Sequence, residues 1–374
     1  MNYKESLFFV AKCLTINHEE HNKIIIENLL KSNTVDWDAV VKLSSDHYVF
    51  PALYCNLKRA SFLSYVPAEL VEYMKYFTDL NRNRNKKIIE QAKELNELLL
   101  QNKITPIFLK GTGNLLEGLY EDIGERMVGD IDFIFSKQDF EKTYLLLIKN
   151  GYSKLNDLEI VRPDHRHLPR LIKDNKIAAI EIHKEILIEK YTQEFNYDFI
   201  KNSKQTINNV SVISFENQLI LSIAASQIND YGFDNKNLSL RNAYDVFLLS
   251  KKTIAKDVFS KFKKLKNPLN CFLANCFEVF NKPDTLQYTS TKQIEKYLTL
   301  FYLYLDDFEL SSKNYKKNYK KAKRRRLNKL IFEKIYKLFF QKKERKQLFS
   351  SVKDKNWREL RLIQWGLKKP KSNF

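Results

Sequence analysis

The stretch from residue 108 to residue 135, FLKGTGNLLEGLYEDIGERMVGDIDFIF, ends in an apolar segment that contains two aspartates one residue apart. Side chains alternate between the two faces of a strand, so Asp130 and Asp132 share one face while Ile131 and Phe133 share the other. Two carboxylates held side by side repel each other unless a cation lies between them, and Mg²⁺ prefers such oxygen ligands. The doublet therefore predicts a metal site, with an exposed strand of solvated charges as the alternative.

A second strand with the same alternation follows in AAIEIHKEI, residues 178–186. Glu181 and His183 share one of its faces, and isoleucines occupy the other. If this strand lies beside the first, Glu181 becomes a third carboxylate next to Asp130 and Asp132, as a two-metal centre for displacement at phosphorus requires. The alternative is a half-exposed edge strand with polar residues facing water. His183 is the best placed histidine of this region, because it shares a face with Glu181.

Upstream of the aspartates, IFLKGTG at residues 107–113 predicts a short strand, a glycine turn and the start of a helix in NLLEGLY. Backbone N–H groups at such a turn can hold phosphate oxygens with the help of the helix dipole, and Lys110 adds a positive charge. The G-x-x-x-x-G-K-[ST] spacing of a Walker A loop is absent, so the turn is a weak signal by itself.

Three further charged residues have competing interpretations. Arg126 precedes Asp130 by four residues, so it can reach a phosphate, brace the carboxylates or form a surface ion pair. Arg241 and Asp245 are four residues apart in a predicted helix, and this spacing favours an ion pair within that helix.

Apolar periodicity divides the chain into four predicted parts. Residues 1–103 and 215–312 have helical spacing, residues 104–214 alternate strands and helices, and residues 313–374 form a basic extension. Only 8 glycines and 8 prolines among 374 residues disfavour a turn-rich all-β protein. We therefore expect an α+β fold in which a small mixed-sheet core is flanked by N- and C-terminal helical regions.

The net charge of +19 is concentrated at one end of the chain. Residues 313–374 contain 23 lysines and arginines against four acidic residues, so the rest of the chain is electrically balanced. Within this tail, RRRLNKLIFEKIYKLFFQKK places apolar residues at helical spacing among the lysines. Such a helix can pack on the protein body, lie on an anionic membrane surface or bind RNA, and the composition does not choose among these partners.

Other bulk features concern the cellular compartment. The four cysteines lack CxxC spacing, which indicates reduced thiols rather than a disulfide or zinc framework. The N-terminal apolar stretch is short and bounded by charges, so it predicts an ordinary amphipathic helix and no signal peptide. No transmembrane segment is expected, because no window approaches the apolar length that spans a bilayer. We therefore expect a soluble cytoplasmic protein.

The order of a Lys-Gly turn, a D-x-D strand and an acidic residue in a later strand resembles the DNA-polymerase-β-like nucleotidyltransferase superfamily. More specifically, LKG followed by LY and RMVGDID is similar to the core of a poorly characterised bacterial nucleotidyltransferase family. Four other segments match in the expected order and extend the resemblance over roughly residues 45–250. These segments are DHYVFPALYCNL, HRHLPRLI, IEIHKEI and LRNAYDVFLL.

The resemblance implies a catalytic and metal-binding set of Asp130, Asp132 and Glu181, with Mg²⁺ or Mn²⁺ as the cofactor. The expected reaction transfers a nucleoside monophosphate from a nucleoside triphosphate, such as ATP, to an unidentified acceptor and releases pyrophosphate by a two-metal mechanism. Two alternatives stay open. The enzyme can modify tRNA or a protein, with residues 313–374 binding the target, or the chain can be a catalytically inactive nucleotide- or RNA-binding protein.

The resemblance also implies that Lys110, Gly111 and Thr112 cradle the nucleotide phosphates. The superfamily's turn is commonly Gly-Gly or Gly-Ser, whereas this chain reads Gly-Thr-Gly, and the threonine hydroxyl can still contact a phosphate. Arg126 and His183 are further candidates for nucleotide binding.

Overall fold

The computed structural model describes residues 1–155 and 166–340, together with residues 355, 358, 359 and 362. The chain divides into two compact units, Met1–Asp306 and Asp307–Phe374. The finer division of the sequence into four parts, with boundaries after residues 103, 214 and 312, stays a prediction.

Among the described residues, seven strands form one mixed sheet in the first unit. The strands are β1 (Ile107–Phe108), β2 (Ile131–Ile134), β3 (Ser153–Lys154), β4 (Leu171–Ile172), β5 (Ile180–His183), β6 (Gln205–Ile207) and β7 (Val210–Val212). Their order across the sheet is β3-β4-β5-β2-β1-β7-β6, with β2 parallel to β5 and antiparallel to β1. The α+β fold class predicted from the sequence is confirmed, and the two predicted strands with alternating carboxylates are neighbours at the centre of the sheet.

Helices flank the sheet strands along the chain. Five precede the sheet: α1 (Tyr3–Cys13), α2 (Glu20–Lys31), α3 (Trp37–Asp46), α4 (Phe50–Arg59) and α5 (Ala68–Gln101). Between strands, the described residues form three: α6 (Lys110–Glu117), α7 (Phe140–Lys149) and α8 (Tyr197–Ile200). Six follow: α9 (Phe215–Ala224), α10 (Gly232–Asn235), α11 (Leu240–Ser250), α12 (Ala255–Val258), α13 (Lys266–Val279) and α14 (Lys292–Asp306). One main apolar core runs from α1 through the sheet to α14 and stabilises the first unit.

Buried polar side chains fix the segment that leads from α6 into β2. On α5, Asn81 Nδ2 donates to the carbonyl of Gly124 at 2.7 Å, and Asn85 Nδ2 donates to the carbonyl of Arg126 at 2.7 Å. The buried carboxylate of Glu125 accepts a hydrogen bond from the Tyr244 hydroxyl on α11 at 2.6 Å. Because buried polar groups are costly without partners, these contacts hold the segment in one conformation just before Asp130.

The second unit contains one long helix among its described residues, α15 (Phe308–Phe340). Over its whole length α15 has no single apolar face, and Tyr315, Tyr319 and Phe332 are exposed. Most of the predicted basic tail beyond residue 340 lies outside the described residues. No helix within the described part of the chain has both the length and the apolar composition needed to cross a membrane.

Glu117, near the end of α6, provides a test of the packing between helix and sheet. Burial raises the pKa of its carboxyl to about 7, although Gln218 and Gln205 donate hydrogen bonds to it at 3.3 and 3.1 Å. Because this pKa is raised, the contribution of the Glu117 carboxyl to the free energy of unfolding is full below about pH 4. It is lost as the pH rises through the pKa of the folded state.

We therefore expect Glu117→Gln to exceed the wild type in free energy of unfolding by about 1 to 2 kcal/mol at pH 8, and to match it at pH 4. The Gln218 Oε1 atom is buried and has no hydrogen-bond partner within the described part of the chain, so a flipped Gln218 amide can accept a hydrogen bond from the new side chain. Urea unfolding between pH 4 and pH 8 measures the difference. Glu97→Gln on an exposed face of α5 is the matched control, and equal pH profiles for both variants would contradict the prediction.

Candidate active site

The parallel pairing of β2 and β5 places two carboxylates next to each other. Asp132 is in register with Glu181, and the flanking pair Phe133 and Ile182 is fully buried on the other side of the sheet. A shift of one residue would turn these apolar side chains toward the carboxylate face, so packing fixes the register. The convergence of the two strands, on which the sequence-based hypothesis of three carboxylates depends, is present in the structure.

Lys110 and His183 supply the positive partners of Asp132. Lys110 Nζ and His183 Nε2 each lie 2.7 Å from Asp132 Oδ1. The same two nitrogens lie 3.8 and 3.5 Å from Glu181 Oε2. Burial alone would raise the pKa of Glu181, but the hydrogen bond from His183 and the charge of Lys110 outweigh burial and hold the pKa well below its usual value. Glu181 is therefore ionised at neutral pH.

Asp130 lies just before β2 and is more exposed than Asp132. Its Oδ2 atom lies 3.0 Å from the Nη2 nitrogen of Arg170, while Arg170 Nε donates to Glu181 Oε1 at 2.8 Å. Burial raises the pKa of the Asp130 carboxyl, and the Arg170 charge opposes that rise. Arg170 therefore bridges the two carboxylates and offsets their repulsion.

Among the residues that the structure describes, the side chains that can share one metal ion are Asp132, Glu181 and His183, whose ligand atoms lie within 4.8 Å of one another. Asp130 is outside this trio, whereas the sequence grouped it with Asp132 and Glu181 and assigned His183 to the nucleotide. The two carboxylates suit Mg²⁺ or Mn²⁺, which prefer oxygen ligands, and the imidazole favours Mn²⁺ over Mg²⁺ because Mn²⁺ accepts nitrogen more readily. His183 Nδ1 is buried and has no hydrogen-bond partner among the described residues, so Nε2 is the nitrogen that faces the site.

The segment predicted as a glycine turn is the first turn of α6, which begins at Lys110 rather than at NLLEGLY. Packing explains why two glycines stand inside this helical turn. A Cβ atom on Gly111 would lie 2.9 Å from Val128 Cγ2, and one on Gly113 would lie 3.0 Å from the Phe108 carbonyl. Glycine lets the helix approach the strand this closely.

Lys110 has φ of +53°, a left-handed conformation that costs a non-glycine residue about 1 to 2 kcal/mol. Its side chain reaches Asp132 from this position. Thr112 Oγ1 instead donates to the carbonyl of Asp130 at 3.0 Å and secures the start of β2. Among the three residues predicted to cradle the phosphates, Lys110 is the one whose side-chain charge contacts the carboxylates. The phosphate contacts themselves stay a prediction.

Arg126 occupies a buried position that the sequence did not reveal. Its Nε and Nη2 atoms donate to the carboxylate of Asp245 at 2.9 to 3.1 Å, and Nη1 donates to the carbonyl of Met127 at 2.8 Å. The surface ion-pair interpretation is wrong, since Arg126 is only 7% exposed. All three guanidinium nitrogens already donate to protein oxygens, which favours a structural role over the predicted nucleotide contact. The Tyr120 hydroxyl completes the pair by donating to Asp245 at 2.7 Å.

Arg170 is the site residue that sequence reasoning missed. It belongs to the segment HRHLPRLI, which was noted only as part of the resemblance. Leu171, the next residue, pairs with Ile180 in the antiparallel contact of β4 with β5, and this pairing brings Arg170 to Glu181. His167 of the same segment lies 3.9 Å from Glu181, whereas His165 falls outside the described residues.

Comparisons with known proteins identify the family of the chain. The model of a family described as uncharacterised nucleotidyltransferase matches residues 33–279. No curated protein sequence matches the chain. Among solved structures, the crystal structure of JHP933 from Helicobacter pylori matches 65% of this chain and 97% of its own, with 17% identity and a TM-score of 0.29, which does not establish a common fold. Since the family model covers more than half of the chain, the resemblance seen in the sequence is confirmed and the protein belongs to this uncharacterised nucleotidyltransferase family.

Proposed function

We propose that the protein transfers a nucleoside monophosphate from a nucleoside triphosphate to an acceptor hydroxyl, with Mg²⁺ or Mn²⁺ as cofactor. The acceptor hydroxyl gives up its proton to water, and its oxygen forms a bond to the α-phosphorus as the bond from that phosphorus to the β-phosphate oxygen breaks, so that pyrophosphate leaves with the electron pair. The observation that carries this proposal is the meeting of Asp132, Glu181 and His183 beside the ammonium group of Lys110.

The residues present fit a divalent ion. Asp132, Glu181 and His183 would hold it, and Asp130 would add a further carboxylate from the adjoining position. When bound, such an ion neutralises phosphate charge and makes an oxygen nucleophile available at neutral pH. Glu181 is already ionised, so no proton has to leave it before it can act as a ligand.

The positive side chains around the carboxylates would bind the phosphates. Lys110 Nζ lies at the edge of the trio and can contact a phosphate oxygen without leaving Asp132. The N–H groups in the first turn of α6 have no carbonyl partner within the helix, and they favour an anion at the same position. Arg170 bridges Asp130 and Glu181 and can exchange one of these carboxylates for a phosphate.

Labelled nucleotide transfer tests the proposal. Each α-³²P-labelled nucleoside triphosphate is incubated with the full chain, Mg²⁺ and cell extract, beside a variant that carries Asp130→Ala and Asp132→Ala. We expect that the wild type transfers label to an acceptor and that the double variant does not. Equal labelling by both proteins would exclude this site, and nucleotide binding without any transfer would favour the alternative of an inactive binding protein.

A second candidate function, modification of RNA, is favoured by the surface of α15. Lysines and arginines are exposed along residues 313–325, the first half of α15, and the apolar stretch of the tail begins only at Leu327. Tyr315 and Tyr319 are one helical turn apart and 55% and 61% exposed, so they can stack on unpaired bases. We propose that the basic residues of 313–374 bring an RNA acceptor to the enzyme.

Charge removal in α15 should therefore weaken RNA binding. We expect alanines at Lys316, Lys317, Lys320 and Lys321 to reduce the affinity for single-stranded RNA at low salt by at least about tenfold. The slope of log K against log salt should become shallower by about 0.7 for each phosphate that the variant no longer neutralises. Filter binding from low to moderate salt measures both quantities. The matched variant replaces both tyrosines with leucine, which keeps the charge and therefore the salt slope. An unchanged RNA affinity after deletion of residues 313–374 would exclude the tail as an RNA site.

A further inference from the structure

Arg241 lacks the ion-pair partner that its sequence position predicts. Its neighbour one turn along α11, Asp245, accepts hydrogen bonds from Arg126 and Tyr120 instead. Arg126 therefore replaces Arg241 as the partner of that carboxylate. The Nε atom of Arg241 is buried and has no hydrogen-bond partner among the residues that the structure describes.

The guanidinium of Arg241 is nevertheless held in place. Its central carbon lies 4.9 Å from the centre of the Tyr48 ring. The chain at Tyr48 is anchored by His47, whose Nδ1 accepts a hydrogen bond from the Leu240 backbone at 3.1 Å. Tyr48 itself has φ of +56° and is 51% exposed. A left-handed backbone is unfavourable for a bulky residue, and such strained positions occur more often at binding sites. A cation stacked on a ring with a buried, unpaired N–H is preorganised for an anion.

Asp230 connects Arg241 with the carboxylate site. Burial raises the pKa of the Asp230 carboxyl, and the charges of Arg166, Lys110 and Arg241 all lie close enough to oppose that rise. Asp230 follows a π-helical turn, Ala225–Asn229, a distortion that often occurs at functional sites. The Asp245–Arg126 pair provides the connection in space, because Asp245 lies one turn from Arg241 on α11 and the Arg126 guanidinium carbon lies 3.6 Å from the position of a Cβ atom on Gly111, the residue after Lys110.

We propose that Arg241, supported by Tyr48, binds the phosphates that leave as pyrophosphate. This inference rests on the proposed nucleotidyl transfer and adds a residue to it. Lys110 contacts the carboxylate trio, where the reacting phosphate would lie, and the Asp245–Arg126 pair links the turn of α11 that carries Arg241 to the first turn of α6, where the other end of a triphosphate would lie. A guanidinium has the fork geometry that matches two phosphate oxygens.

Binding of inorganic pyrophosphate and tripolyphosphate to the full chain tests the proposal without any catalytic step. Calorimetry with and without Mg²⁺ should show that Arg241→Gln weakens pyrophosphate binding about 10- to 100-fold. Arg241→Lys should restore part of the loss. Lys256→Ala, at an exposed lysine of α12, is the matched control for the loss of one positive charge. Thermal melting shows whether each variant is folded.

The outcomes separate this inference from the proposed function. Wild-type affinity in folded Arg241→Gln, or a loss of equal size in Lys256→Ala, would overturn the role of Arg241 even if nucleotidyl transfer is confirmed. Loss of pyrophosphate binding in Arg241→Gln would support that role even if no acceptor is labelled. In the transfer assay, a raised KM for the nucleotide supports the inference, whereas a raised KM for the acceptor alone contradicts it.

Discussion

Replacing Asp132 with asparagine should lower the rate of nucleotidyl transfer about 1000-fold, which corresponds to about 4 kcal/mol of transition-state stabilisation. Asp132 contacts both Lys110 and His183 and faces Glu181, so it is the central member of the trio. Asparagine keeps the shape of the side chain but loses the charge that attracts a divalent ion. Turnover with labelled nucleotide measures the loss of rate. A Mn²⁺ titration followed by electron paramagnetic resonance measures the loss of affinity for the ion.

The same measurements on Asp130→Asn distinguish the structure from the simple D-x-D expectation. Asp130 is outside the trio and already paired with Arg170, so we expect a smaller loss of Mn²⁺ affinity than for Asp132→Asn. Glu185→Gln is the matched control, because Glu185 follows β5 but pairs with Lys137 instead of the site. Equal losses for the two aspartates would show that both bind the ion directly, as the sequence pattern alone implies.

Arg126→Met should lower the free energy of unfolding by about 3 to 5 kcal/mol, because it leaves the carboxylate of Asp245 buried without its cation. The pair joins the segment before β2 to α11, and both side chains are almost fully buried. If Arg126 contacted the nucleotide as its main role, the variant would keep its stability and show only a raised KM. Urea unfolding and KM measured on one preparation decide between the two roles.

A double-mutant cycle isolates the pair itself. Asp245→Asn keeps an acceptor for the Tyr120 hydroxyl, so the cycle of Arg126→Met and Asp245→Asn removes the charges with little other change. We expect the double variant to lose less stability than the sum of the single variants, by about 0.5 to 3 kcal/mol. Additive losses would contradict a direct pairing of the two residues.

The sheet and its two carboxylates could be predicted from the sequence because the signal is local. Alternation along β2 and β5 separates carboxylates from apolar residues, and burial of Phe133 and Ile182 leaves Asp132 and Glu181 a single face. The Lys110 turn was also located correctly as the neighbour of the aspartates. Its assignment to a turn rather than to a helix was wrong, since two glycines normally interrupt helices and only the close approach to β1 and Val128 explains them here.

Contacts between distant segments could not be predicted in this way. Arg126 and Asp245 are 119 residues apart, and their pairing depends on where α11 packs against the segment before β2. Local spacing favoured Arg241 as the partner of Asp245, and the tertiary fold supplied a better one. Arg170 reaches Glu181 only because β4 pairs with β5, and the sequence gives no signal for that antiparallel contact.

The cations around the carboxylates have a consequence for folding. Lys110 and Arg170 already offset much of the negative charge of Asp130, Asp132 and Glu181 within the polypeptide itself. The chain therefore needs no metal ion at this site in order to fold, in contrast to zinc fingers, which stay unfolded until metal arrives. If the protein takes a divalent ion as proposed, synthesis and activation would be independent events, and folded molecules would await the ion and the nucleotide together.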